Sequence, residues 1–374
     1  MNFFSLIDEL GIEQGHLDAK KQQTDYKIKY VVEYVERWLL VSVNRPEVTN
    51  INFVDCMSNA GIYQDGDLGT SMEVLLLFVK SAAQHPNKVF NLFVNDYDGA
   101  RTNICSKIAE RLMQGQPPAN IKVHISTLDV NEYLCNYKIF DRYFGYGSST
   151  IAFVDPYDFG TVKIEQLANF ISHYYCEVIF NFFTSDYVRN GIDKRIRACI
   201  GNVNIHNKDD LIQYIVNQMK VGKIKYVFSY QFRTLTNTEL YQIIYATPHI
   251  KGLEVLKEAL WKTFNGKFYH RNFNEQPAQL SLFTEDDNRQ SLLQIHASSA
   301  KHLLTQNFSG QVVHYKRLEQ FLTENTMMQT TDFLGSVLKP LISEGKVIKK
   351  CKTINKANYK NDEYYFEEVQ PCKL

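Results

Sequence analysis

The sequence lacks most of the short motifs that announce an activity. None of its seven cysteines (56, 105, 135, 176, 199, 351 and 372) lies two residues from another, so no zinc or dithiol redox motif is present. An odd, scattered set of this kind is what small buried hydrophobes in a reducing compartment look like. No Gly-x-x-x-x-Gly-Lys-Ser/Thr loop cradles a triphosphate, no His-Glu-x-x-His helix holds zinc, and no Gly-x-Ser-x-Gly elbow carries a nucleophile. Net charge is also missing: 41 basic side chains balance 41 acidic ones, so any case for polyanion binding has to be local. The longest apolar runs, such as Val74 to Val79, are too short to span a bilayer. Met1 to Gln14 has neither the basic start nor the apolar core of a signal peptide. A soluble cytoplasmic protein with no membrane partner is expected.

What is present is a core. Apolar residues make up 44% of 374 residues and aromatics 13%, enough for two domains and too much for global disorder. Asp25 to Ser42 carries Ile28, Tyr30, Val31, Tyr34, Val35, Trp38 and Leu39 at helical spacing, which predicts an N-terminal helical segment over 1–48. From Ile51 strands and helices alternate: Ile51–Asp55, Thr70–Ala83, Val89–Asn95, Asp98–Met113, Ile121–Ser126, a weak helix to Tyr137, Ile151–Asp155, Val162–Tyr174 and Val178–Phe183. That rhythm predicts an α/β domain over 49–264, doubly wound around a mostly parallel Rossmann-like sheet. Ile224–Gln231 and Leu240–Thr247 close it, the second suited to adding antiparallel at an edge. Residues 265–290, rich in Asn, Gln, Asp and Glu, predict a linker.

Two strands end alike. Ile51-Asn-Phe-Val-Asp55 runs into Cys56-Met-Ser-Asn-Ala-Gly61, and Ile151-Ala-Phe-Val-Asp155 runs into Pro156-Tyr157. Ligands of open parallel sheets bind beyond the carboxyl ends of the strands. Asp55 with Ser58, Asn59 and Gly61 therefore suits a nucleoside cofactor, whose close approach needs small residues in the turn. Asp96, with Asp98 as the alternative, is placed for ribose hydroxyls, and Asp129 for an adenine amino group. For Asp98 and Asp129, capping of the following helix explains the residue equally well. Asp155-Pro156-Tyr157 can accept from an amine and stack a ring on it, aiming the lone pair at an electrophile. A strand-terminating turn is the plainer alternative. The cluster Asp55, Asp96, Asp98 and Asp155 also leaves open a metal-dependent nuclease, although no metal ligand is assigned.

Beyond residue 290 the character changes. Leu292–Gln306, Val312-Val313, Tyr315–Thr323, Thr331–Ser343 and a hairpin of Val347-Ile348 against Tyr364–Phe366 outline a winged-helix domain over 291–374. Lys339, Lys346, Lys349, Lys350 and Lys352 form a basic stripe suited to nucleic-acid phosphates, or to a protein partner. Asp362, Glu363, Glu367 and Glu368 are close enough in sequence to neutralise much of it.

These residues together resemble a family. Asp55 to Tyr63 with Gly69-Thr-Ser71 is similar to the Asp-Leu-Phe-Ala-Gly-Pro-Gly-x-Tyr…Gly-Ser segment of the three-Cys-motif partner proteins (TcmP). Phe153-Val-Asp-Pro-Tyr157 resembles that family's Asp-Pro-Tyr-Gly strand end. Tyr30 to Trp38, Leu240 to Gly252 and Gln279-Leu-Ser-Leu-Phe283 extend the likeness over nearly the whole chain. The resemblance implies a class I methyltransferase-like domain that binds S-adenosylmethionine, and a radical-SAM-like protein partner bearing three cysteines. By position, Asp55, Ser58, Asn59 and Gly61 match the cofactor turn, and Asp155, Pro156 and Tyr157 the reaction edge. Taken with the Asp-Pro-Tyr turn, a methyltransferase acting on an amino group of a nucleic acid is expected, although the resemblance itself names no substrate. A non-catalytic partner or adaptor protein is the alternative, motivated by Asn59 standing where the family has glycine.

Overall fold

The alternation of apolar strands and amphipathic helices builds a wound sheet in the computed structural model. Described are residues 3–114, 118–185, 187, 194–220, 222–233, 239–267, 269–271, 285–350 and 362–368. β1 (Asn50–Asp55), β2 (Val89–Asp96), β3 (Ile121–Thr127), β4 (Ser148–Val154) and β5 (Glu177–Phe182) are parallel and stand in the order β3-β2-β1-β4-β5. β7 (Glu239–Thr247) follows β5, antiparallel to it; β6 (Tyr226–Arg233) and the short β8 (Tyr269–Arg271) complete the sheet. The fold is α/β, with a mostly parallel Rossmann-like sheet. Chain order reverses between β1 and β4, and a crevice opens at such a switch point.

Two expectations need correction. Leu240–Thr247 is antiparallel, but it lies inside the sheet between β5 and β6 rather than at an edge. Its nearly continuous burial is what an interior strand requires. The edge belongs to β8, drawn from the stretch expected to be linker. The helix Glu285–Phe308 also begins inside that stretch, and residues 272–284 lie outside the described residues.

Helices α1 (Phe4–Glu9), α2 (Gln22–Val43), α3 (Thr70–Gln84), α4 (Gly99–Leu112), α5 (Val130–Cys135) and α6 (Ile164–Tyr174) wrap the strands. α2, α3 and α4 pack side by side, as do α5, α6 and the helix Lys208–Met219. Val54, Phe93, Val154, Phe140, Phe170 and Ile215 belong to one continuous buried cluster.

The chain divides into two compact units, Met1–Gly252 with Tyr269–Asn274, and Leu253–Phe268 with Glu275–Leu374. Residues 1–48 fall in the first unit together with the sheet, and the two units divide at Gly252, inside the helix Ile250–Phe264. The second unit contains the helices Glu285–Phe308 and Tyr315–Asn325 and a helical stretch over 330–343. β9 (Val312–His314), β10 (Val347–Lys350) and β11 (Glu363–Phe366) form a three-stranded antiparallel sheet ordered β10-β11-β9. The stretch 330–343 widens to a π-helix over Phe333–Leu338 just before Pro340, which has no N–H to return to the turn before it. No helix among the described residues is long and apolar enough to cross a membrane.

One buried polar cluster fixes α2 against the sheet. The Glu177 carboxylate on β5 accepts from the Tyr34 hydroxyl of α2 and, at 2.5 Å, from the Tyr245 hydroxyl of β7. Burial holds the Glu177 carboxyl above its ordinary range, and the Tyr245, Tyr34 and Thr247 hydroxyls act in the opposite direction and make it tolerable there. Tyr34→Phe removes one of them while keeping the ring. The variant is expected to lose about 1–3 kcal/mol in urea unfolding, the cost of depriving a buried acceptor. An unchanged midpoint would mean that the cluster does not anchor α2.

Candidate active site

A cavity of about 590 Å³ opens at the switch point, lined by residues from β1, β4 and β5, the turns after them, and the N-terminal segment. This is an ordinary size for a small-molecule site. Asp55 and Asp155 both line it, delivered by adjacent parallel strands in which Asp55 pairs with Phe153. The two carboxylates expected to share a cleft do share one.

Their environments differ. Asp55 is 2% exposed, and its carboxyl is pushed up to about 8, chiefly by burial and next by the charge of Asp155. The Met57 backbone N–H, 3.3 Å away, and the Lys27 ammonium act in the opposite direction. Asp155 is held on both oxygens: one pairs with the Lys27 ammonium, and the other accepts from the Asn181 amide at 2.6 Å. Lys27 is 7% exposed and lies on the buried face of α2, seven residues and so two turns before Tyr34. The contact that anchors α2 therefore also carries this lysine to the sheet edge.

The turn after β1 has the backbone it needs. Asn59 has φ +59° and Gly61 φ +74°, both in the left-handed region. A Cβ on Gly61 would sit 3.0 Å from Cys105 Sγ and Met72 Cγ, so a side chain there would have to press both aside, in addition to the strain of its positive φ. The Asn59 side chain folds back: its oxygen accepts from the Ala60 N–H at 2.7 Å, and its nitrogen donates to Asp18 at 2.6 Å. Asp18 also pairs with Arg101 at 3.2 Å. Arg101 donates to the Tyr157 hydroxyl and lies over that ring, 5.2 Å from its centroid. One face of Tyr157, expected to stack on a substrate ring, is thus taken by a guanidinium, although the residue stays 47% exposed. Burial moves the Tyr157 hydroxyl further above its ordinary range.

Of the residues singled out by sequence, Asp55, Ser58, Asn59, Asp155, Pro156 and Tyr157 line the cavity. Gly61 sits behind the turn. Asp96 does not line the cavity; its oxygens accept from the Asn59 and Asp98 backbone N–H groups, both at 3.0 Å, so it braces the turn from below. Asp98 caps α4 through Ala100 N–H, and Asp129 caps α5 through Asn131 and Glu132 N–H. Both therefore make the helix-capping contacts. The four-carboxylate nuclease arrangement is not assembled: two of its members are spent on backbone and Asp155 on Lys27. Among the described residues no group of three or more His, Cys, Asp or Glu could hold a metal.

Sequence reasoning missed Asp18, Lys27, Tyr63, Arg101, Asn181, Phe183 and Tyr241, which also line the cavity. A lysine on the apolar stripe of α2 and an asparagine inside the apolar run Val178–Phe183 were the available signals. In the second unit the basic stripe is largely engaged: Lys346 pairs with Glu344 at 2.8 Å, Lys349 with Asp362 at 2.5 Å, and Lys350 lies over the Tyr365 ring. Lys339 is exposed, and Lys352 lies outside the described residues.

No family model and no curated protein matches this chain. Among solved structures it is similar to a 16S rRNA (adenine(1408)-N(1))-methyltransferase mutant from Catenulisporales acidiphilia, at 10% identity over 57% of this chain and 90% of that one, with a TM-score of 0.30. It is also similar to a putative class I S-adenosylmethionine-dependent methyltransferase from Listeria monocytogenes, at 9% identity over 78% of this chain and 75% of that one, with a TM-score of 0.32. Likenesses this distant decide nothing about chemistry, which rests on the cavity itself.

The pH response follows from Asp55. Unfolded, its carboxyl titrates near the ordinary value of about 4. Between there and about 8 the folded state binds the extra proton, so this group's contribution falls as pH rises through that window and is flat above it. Asp55→Asn imitates the protonated form. Its melting temperature relative to wild type should therefore rise by roughly 3 °C or more between pH 5 and pH 9. A pH-independent difference would show that Asp55 is ionised throughout.

Proposed function

We propose that the cavity binds S-adenosylmethionine and that the chain is a methyltransferase acting on an amino group, with nucleic acid as the acceptor class. The observation that carries this reading is the delivery of Asp55 and Asp155 by adjacent strands to one cavity at the switch point. The residues present fit the cofactor. A left-handed small-residue turn permits close backbone approach, and Asp55, buried and repelled by Asp155, gains from a cationic ammonium. Asp55, Ser58 and Asn59 would hold it, and Gly61 and Asp96 would keep their turn in shape. When bound, the cofactor supplies an electrophilic methyl group.

The chain's own contribution is placement. Asp155 has lone pairs left after Lys27 and Asn181 are served, since each carboxylate oxygen accepts two bonds, and these can take an amine N–H. With the Pro156 carbonyl beside it, the amine is oriented rather than chemically activated, the kind of help positioning provides. The chain from Asn59 through Asp18 and Arg101 to Tyr157 ties the cofactor turn to the reaction edge.

The element order of the second unit supports a winged helix, with Lys339 as the exposed member of its basic stripe. The engaged lysines favour a protein partner over nucleic acid on this unit, in keeping with the resemblance to three-Cys-motif partner proteins and their radical-SAM-like associate. The alternative, a non-catalytic partner or adaptor protein, draws support from the ion pair already seated on Asp155.

Titration calorimetry with S-adenosylhomocysteine on the full chain should show micromolar binding, weakened about tenfold or more by Asp55→Ala. Asp155→Ala should leave that affinity within roughly threefold yet lower methyl incorporation into mixed RNA and DNA by about 100-fold. Absence of cofactor binding would refute the enzyme, and an Asp155→Ala protein with full biological function would favour the adaptor.

A further inference from the structure

Asn181 is 1% exposed and lines the cavity, and its side-chain oxygen accepts no hydrogen bond among the described residues. Its orientation is not ambiguous. A carboxylate oxygen only accepts, so the amide nitrogen must be the atom facing Asp155 at 2.6 Å, and the amide oxygen is left over. A buried acceptor without a donor is costly, and sites built to bind a polar group are where such atoms survive. Asn181 therefore asks for an N–H.

Lys27 asks for the opposite. Its ammonium carries three N–H bonds and directs one to Asp155. A ligand atom beside it should be an acceptor and should carry no positive charge. Around these groups the same cavity has aromatic walls: Phe153, Phe183 and Tyr241, the last two 5.7 Å apart between ring centroids. Flat walls suit a flat ring.

We propose that Lys27 and Asn181, on either side of Asp155, recognise a neutral planar edge in which an amino group adjoins a ring nitrogen, the edge that adenine and cytosine present. The amino group donates to Asn181 and Asp155; the ring nitrogen accepts from Lys27. A protein lysine or amino terminus would bring a second cation against Lys27. A carboxylate has nothing to donate to Asn181. A glutamine side chain offers donor beside acceptor but no ring for the aromatic walls. This assignment rests on the methyltransferase reading for its place in a reaction, yet the recognition itself can be tested without turnover.

The test is calorimetric titration of the full chain, saturated with S-adenosylhomocysteine, with adenosine, cytidine, purine riboside, 1-deazaadenosine and N-acetylglutaminamide. Either adenosine or cytidine should bind, and the tighter of the two names the base. For the purine, loss of the amino group or of the ring nitrogen should each weaken binding about tenfold. For cytidine, the 4-deamino and 3-deaza analogues take their place. Asn181→Leu should erase the preference over the deaminated analogue, and Lys27→Met the preference over the deaza analogue, each compared within the same variant saturated with S-adenosylhomocysteine. Should either variant fail to fold, the analogue series on the wild-type protein still decides. Equal binding of parent and analogues, no binding of either nucleoside, or tighter binding of N-acetylglutaminamide would overturn the proposal. Nucleoside discrimination intact in a chain that ignores S-adenosylhomocysteine would support this recognition while refuting the methyltransferase reading.

Discussion

Two carboxylates facing one desolvated cavity cannot both stay ionised without help, and the way this chain resolves that conflict organises the sheet-bearing unit. Asp155 is paired with Lys27 and Asn181; Asp55, deeper and without such a partner, holds its proton to about 8. The first of these depends on α2, which carries Lys27. If Glu177 did not anchor Tyr34, Lys27 would not reach the end of β4, and the two acids would be left to repel each other. The first 48 residues are accordingly part of the site rather than a preface to it, since Asp18 and Lys27 both come from them.

This arrangement makes the two ends of the cleft chemically distinct. At the β1 side the turn is shaped by positive φ at Asn59 and Gly61, braced from below by Asp96. At the β4 side the charges are already matched, and what remains is an acceptor on Asn181 between aromatic walls. A cationic ligand gains at the first end, a neutral ring at the second. With Asp55 protonated, the cavity counts Asp18 and Asp155 against Lys21, Lys27 and Arg101, a single positive charge in excess, so affinity for a nucleic acid would have to come mainly from the reading of a single base.

Much of this was legible in the sequence. The period of the apolar residues gave the order of strands and helices, and the repeated Phe-Val-Asp ending identified which strands would meet at the crevice. Asp129 and Asp98 were ambiguous for a physical reason: an acid after a strand caps the next helix whether or not a ligand is near. The interior position of β7 was hidden because antiparallel insertion changes the pairing without changing the local pattern. Lys27 and Asn181 were unreadable as a pair, being separated by 154 positions and joined only through Asp155. Each, however, broke a local rule, a charge on a buried helix face and an amide in an apolar strand.

The most direct measurement is a crystal structure of the full chain grown with S-adenosylhomocysteine. The account predicts its density between the turn at Asn59 and the end of β4, with the Asp55 carboxylate within hydrogen-bond reach of the ligand and Asp155 facing the sulfur side. A cavity filled by repacked side chains, or ligand bound away from both acids, would contradict it.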